Sequence, residues 1–236
     1  MKRRVLISCM LVAVAVLTAV AQATRHEVKV GDFTRLVVTD DVNVNYRCNA
    51  DSAGLIVMTC TQEVADHFIF SLNKSGRLSI QIDNDMDHTY ARPTLTAYSS
   101  SLTEAENAAD SVLRISGLPA MASFKVKLVD NGKIIAKGVR ASRLELQILS
   151  GKGKIIADGS CDDLALRLVG TGEIQADNVE AGSVSCRIMG TGRIGCNVQG
   201  GELKVSGSGT GKVYYKGTPS KVTVHKLGTI KAIPMQ

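Results

Sequence analysis

The chain has 236 residues, 44% of them apolar but only 4% aromatic, with no Trp, so any core must be built from Val, Ile, Leu and Ala. Twenty-two Gly against 4 Pro suit many tight turns. The formal charge of +6 falls to +3 once three N-terminal cations are set aside, which removes the main support for a nucleic-acid partner.

Those cations are Lys2, Arg3 and Arg4, followed by an uncharged apolar run over residues 5–20 and by Ala21-Gln22-Ala23. A basic start, a short apolar segment and small residues at the cleavage position predict a secretory signal peptide over residues 1–23. The run is shorter than the ~18 residues of a membrane span, so no transmembrane segment is expected in the mature chain. Leu6-Ile7-Ser8-Cys9 resembles a lipoprotein cleavage site. Cutting there would leave too short an apolar core, so Cys9 is read as part of the signal. Export predicts a location beyond the cytoplasmic membrane. The five later cysteines, Cys48, Cys60, Cys161, Cys186 and Cys196, are odd in number and match no metal spacing.

Residues 24–90 read as short strands and hairpins, at 36–39, 42–48, 55–61, 68–73 and 78–82. Asn73-Lys74-Ser75-Gly76 is a hairpin turn, and 49–54 is the loop of the hairpin before it. Strands at 94–98 and 112–116 lead onward, with a brief helical turn predicted at 102–109 because Thr103, Glu104 and Glu106 suit a helix start. Asp83-Asn84-Asp85-Met86-Asp87-His88 alternates carboxylates as a calcium loop does, yet His88 and Thr94 stand where Gly and Glu are required. It reads as a solvated acidic loop. His26, His67, His88 and His225 lack zinc spacing, and no Gly-x-Ser-x-Gly elbow is present.

Residues 91–236 carry the strongest signal, an internal repeat. Asp130-Asn131-Gly132 opens a series continued by Gly151-Lys152-Gly153, Gly170-Thr171-Gly172, Gly190-Thr191-Gly192 and Gly209-Thr210-Gly211. After each turn comes an apolar residue: Ile134, Ile155, Ile174, Ile194 and Val213, with Ile230 as a worn sixth member. Two residues later stand Ala136, Ala157, Ala176, Cys196, Tyr215 and Ala232. Before the turns run alternating strands such as Leu144-x-Leu146-x-Ile148 and Leu164-x-Leu166-x-Leu168. Period 2 within strands and a period near 20 between them predict an all-β fold whose C-terminal part is a parallel β-solenoid. The glycines are expected to shape turns through positive φ. A phosphate loop would need a helix after the glycines, and calcium-binding repeats would need a nine-residue period. Neither is present.

The opening Phe33-Thr34-Arg35-Leu36-Val37-Val38-Thr39, the segment Val42-Asn43-Val44-Asn45-Tyr46, the hairpin over 68–82 and the Gly-x-Gly coils together resemble the auto-transporter adhesin head GIN domain family of Bacteroidetes envelope proteins. The resemblance covers about residues 33–217 and implies this fold. It brings no catalytic residues with it. Residues 99–110 depart from the pattern and look like an insertion.

The function expected is that of a noncatalytic envelope scaffold or adhesin-like module, without cofactor or metal, meeting a protein or glycan. A glycan-binding module and a polysaccharide-active solenoid enzyme are the alternatives. Lack of Trp weighs against the first, and lack of a carboxylate cluster on the repeats weighs against the second. Lys133, Lys154, Glu173, Arg193 and Lys212 follow the turns as a mostly basic outward row. Cys186 and Cys196 are predicted to face each other across a coil as free thiols.

Overall fold

The computed structural model describes residues 23–83, 85–86 and 90–235. All of the predicted signal segment except Ala23 lies outside them, as do Asn84, Asp87 and His88 of the acidic loop. In chain order the elements are β1 (Thr24–Lys29), β2 (Arg35–Val38), β3 (Val44–Cys48), β4 (Leu55–Cys60), α1 (Gln62–Asp66), β5 (Phe68–Leu72), β6 (Arg77–Ile82) and β7 (Leu95–Ser99). Then come β8 (Glu104–Asn107), β9 (Val112–Ser116), β10 (Met121–Leu128), β11 (Lys133–Ile148), β12 (Lys154–Gly170) and β13 (Glu173–Gly190). The last are β14 (Arg193–Gln199), β15 (Glu202–Gly209), β16 (Lys212–Thr218), β17 (Lys221–Gly228) and β18 (Lys231–Pro234).

These strands build a parallel β-solenoid with two principal ladders. One runs β6–β2–β8–β10–β11–β12–β13–β15–β17, the other β7–β3–β9–β11–β12–β13–β14–β16–β18. The long strands β11 to β13 serve both by bending, with register shifts at Ala136/Val139 and Ile156/Asp158. Ile134, Ile155, Ile174, Ile194 and Val213 stack in register, as the repeat predicted. So do Leu146, Leu166, Cys186 and Val205 on the other ladder. Their side chains meet in one continuous core from Phe33 to Ile230. Each buried Leu, Ile or Val contributes roughly 1.5–3 kcal/mol, but only because the adjoining coils exclude water from it.

The ladders reach further toward the N-terminus than the glycine repeat. The coil made by β2 and β3 lies between the β6–β7 coil and the β8–β9 coil, so the chain leaves the axis, forms its cap and then returns past its own start. The cap is antiparallel: β5 on β6, β4 on β7 and β1 on β4. The Asn73 Oδ1 accepts the Ser75 and Arg77 amides at 3.0 Å and closes the β5–β6 turn. The short helix α1, anchored by buried Val64, has no counterpart in the sequence expectations.

Expectations are corrected at two places in the chain. Residues 102–109 hold no helical turn; β8 is a ladder strand between β2 and β10, so 99–110 is a regular coil rather than an insertion. Its inward position is polar: Asn107 aligns with Val38 and Leu128 and is fully buried. The side chain donates to the Ser111 carbonyl at 2.9 Å and accepts the Ala109 amide at 3.3 Å and the Ser111 hydroxyl at 3.2 Å. An amide thus braces a turn that carries no glycine.

The second correction concerns the last coil, where Ala232, not Ile230, aligns with Val213. The local Gly228-Thr229 cue placed Ile230 two positions out. Ile230 instead follows Gly211 in the column of inner turn glycines, since the Lys231 amide donates to the Gly211 carbonyl. A Cβ on Gly211 would meet Ile188 Cδ1 at 2.3 Å; one coil on, Gly207 replaces that isoleucine. The exchange leaves room for a side chain, and Ile230 is completely buried. Ile230→Ala is therefore expected to cost about 2 kcal/mol and to fray the end first. Hydrogen exchange should show faster amides in β18 with β11 and β12 unchanged; a uniform change would count against a local plug.

Candidate functional site

At the glycine-bearing edge, successive turns pack backbone on backbone. Gly151, Gly170, Gly190 and Gly209 have positive φ; Gly132, Gly153, Gly172, Gly192 and Gly211 do not. Gly190, with φ 130°, would place a Cβ at 2.3 Å from the Gly170 carbonyl oxygen. Gly192 has an ordinary φ, yet its Cβ would fall at 2.4 Å from the Gly172 oxygen and 2.6 Å from Leu168 Cδ2. The first glycine of each pair thus supplies the turn, and the second permits close approach of coils. Positive φ alone does not account for the motif.

The same edge opens into an acidic cleft of about 470 Å³ that includes Asp40, Asp41, Asp83, Asp110 and Asp130, with Arg92 beside them. Of the acidic loop, Asp83 and Asp85 are described, and Asp83 Oδ1 accepts the Asp85 amide at 3.2 Å. The neighbouring carboxylates brace turns. Asp40 accepts the Ile82 amide at 2.8 Å, Asp41 the Asp110 amide at 2.9 Å, and Asp110 the Asn131 amide at 3.3 Å. Asn131 Oδ1 continues the series to the Lys152 amide at 3.1 Å. Among the described residues no group of three or more His, Cys, Asp or Glu is arranged to hold a metal ion.

The post-turn row is in register, Lys133–Lys154–Glu173–Arg193–Lys212–Lys231. Glu173 pairs with Lys154 at 3.1 Å; although partial burial opposes its charge, that bond and the one from Gln175 leave its carboxyl below the ordinary value. Cys186 and Cys196 are both buried and free. Contact with Cys196, and then burial, push the Cys186 thiol well up. Burial, with Asp162 and Asp163 nearby, pushes Cys161 up to about 12, so neither thiol is a ready nucleophile. His26 bonds the Cys60 carbonyl at 3.0 Å, His67 caps α1, and His225 lies on the outer face of the first ladder.

That outer face holds a feature the sequence reading missed. Near the N-terminal end its cations are matched: Lys127 pairs with Glu104 at 2.5 Å and Glu106 at 3.8 Å, and Lys125 with Glu145 at 3.7 Å. Further on, Gln147, Arg167, Arg187, Ser206 and His225 form one outward column, and Ala165, Ser185, Lys204 and Thr223 the next. Small residues at Ala165, Ser185 and Ser206 hollow out a groove of about 440 Å³. Arg167 and Arg187 stand directly in register along it, and neither has an acidic partner among the described residues. Like charges on adjacent strands repel. An anion lying in the groove would relieve that repulsion.

The family described as "Putative auto-transporter adhesin, head GIN domain" matches residues 32–219. The chain belongs to this family. Solved structures share the GIN-domain fold. A crystal structure titled as a putative adhesin from Bacteroides fragilis is 20% identical, with a TM-score of 0.81 over 91% of this chain and 97% of that one. One titled as a putative lipid binding protein from Parabacteroides distasonis is 19% identical, with a TM-score of 0.67 over 92% and 98%. A putative adhesin from Parabacteroides merdae is 15% identical, with a TM-score of 0.69 over 92% and 98%. At these identities the likeness is one of fold. No curated protein matches. Among the described residues no helix is long and apolar enough to cross a membrane.

Proposed function

We propose that this GIN-domain chain is an exported, noncatalytic module of the cell envelope that works by adhesin-like contact. The unpartnered, in-register Arg167 and Arg187 beside a groove of small residues carry this reading. Guanidiniums repeated once per coil, about 4.8 Å apart, suit an extended ligand bearing regularly spaced anionic groups. An acidic glycan answers that description, which gives the glycan-binding form of the proposal its specific footing. Catalysis is disfavoured because the carboxylates that do gather, at the glycine-bearing edge, hold turns together through backbone amides. General acid–base work needs such groups free to reach a substrate. The signal segment at residues 1–23 accounts for export.

The test is an array of uronate-containing and neutral glycans, followed by titration and product analysis of any hit. Wild type is expected to bind acidic chains and release no product. Arg167→Ala with Arg187→Ala should weaken binding at least about tenfold, the scale of losing charge-assisted contacts. Unchanged binding by that variant would remove the groove from the account, and depolymerised product would replace a binding module with an enzyme.

A further inference from the structure

The charge of the chain is unevenly placed along the solenoid axis. Residues 24–202 hold 19 basic and 22 acidic side chains, whereas residues 203–236 hold six lysines and no acid at all. This basic stretch forms the final coils, β15 to β18 apart from Glu202. Of these lysines, Lys212, Lys226 and Lys231 have no anionic partner among the described residues.

Exposed aliphatic surface gathers at the same end. Val222 and Val224 continue the inward column of Leu203 and Val205, but no coil among the described residues covers them and they are 38% and 37% exposed. Leu227 is 77% exposed, and Met189 on the same outward column is 40% exposed. Lys226 takes the inward position that Ile188 fills two coils earlier, so its methylene stem borders the open core while its ammonium reaches out. At the opposite end, closed by antiparallel β1, β4 and β5, Ile69 is the one large aliphatic so exposed among the described residues.

We propose that this end of the solenoid docks on an anionic lipid surface, with Val222, Val224 and Leu227 at headgroup depth and Lys226 and Lys231 against lipid phosphates. Charge complementarity selects this occupant. A second copy would bring the same lysines face to face. Addition of a foreign strand is opposed by Pro234, which offers no amide, and by lysines on both edge strands. A headgroup layer demands no strand register, accepts aliphatic tips, and leaves the edge backbone within reach of water.

Protein purified after expression of the full chain is mixed with vesicles of phosphatidylcholine alone, or of equal parts phosphatidylcholine and phosphatidylglycerol, and separated by flotation. Preferential binding to the anionic vesicles, weakened by salt, is expected. The double variant Lys226→Ser/Leu227→Ser should lose about tenfold or more in partitioning, the combined scale of one interfacial lysine and one aliphatic tip. Its unfolding midpoint should stay at the wild-type value. Arg167→Ala, which tests the groove, should float as wild type does, so failure of one proposal is distinguishable from failure of the other. Equal partitioning into both vesicle types, or no loss in the double variant, overturns lipid docking. Concentration-dependent dimerisation abolished by Leu227→Ser would overturn it in favour of a second copy.

Discussion

Gly190→Val is expected to destabilise the fold by roughly 2–6 kcal/mol, combining backbone strain with overpacking. The φ of 130° is one that a β-branched residue adopts only under strain. The added Cβ would also press on the Gly170 oxygen, which accepts the Thr191 amide at 3.1 Å, while the Gly190 oxygen itself accepts the Thr210 amide at 3.0 Å. One substitution therefore disturbs rungs on both sides of its turn. Two comparisons separate the causes. Gly192→Ala keeps an ordinary φ and isolates the overpacking, about 1–3 kcal/mol. Gly200→Ala has φ 83° but nothing within 4 Å of the new Cβ, so it isolates the backbone component, about 1 kcal/mol. Denaturant midpoints rank the three, and equal midpoints would sink the distinction between turn-forming and close-approach glycines.

Asn107→Ala is expected to cost about 2–4 kcal/mol, because it strips hydrogen bonds from buried partners and leaves a void in the core column. The Ser111 carbonyl keeps one bond, from the Lys133 amide at 2.9 Å, while the Ala109 amide and Ser111 hydroxyl lose their Asn107 acceptor. Asn107→Leu provides a useful contrast. It restores apolar volume in the column of Val38 and Leu128 but none of the bonds, so its stability should stay below wild type. A leucine variant as stable as wild type would mean that the amide is only a filler. Exchange at the Ala109 and Val112 amides reports whether the turn has loosened.

The glycine pairs and the apolar columns were legible in the sequence because each coil repeats the same local demand: a tight edge, then alternation. Where a coil meets that demand differently, the pattern fails. Asn107 breaks the apolar column and no glycine pair follows it, so residues 99–110 looked foreign although their backbone is in register. Ile230 misled for the converse reason, being an apolar residue close to a glycine that fills a gap left by Gly207. The insertion of the β2–β3 coil between later strands leaves no local trace, since side-chain period says which face a residue takes and nothing about which strand lies beside it. The acidic cleft and the arginine groove are also products of stacking. Asp41 and Asp110 meet across 69 residues. Arg167 and Arg187 gain their meaning only from the small side chains and missing acids around them.

The hydrogen bonds of both ladders lie along the solenoid axis, and the two ends of that axis are finished differently. Tension applied between them loads successive coils one behind another rather than all together. The coil of β17 and β18, paired on one side only, is expected to yield early. Each coil released adds about 65 Å of contour from its roughly 20 residues, while the rungs behind it stay intact. Such a chain lengthens in steps and dissipates a pull gradually, as a tether does.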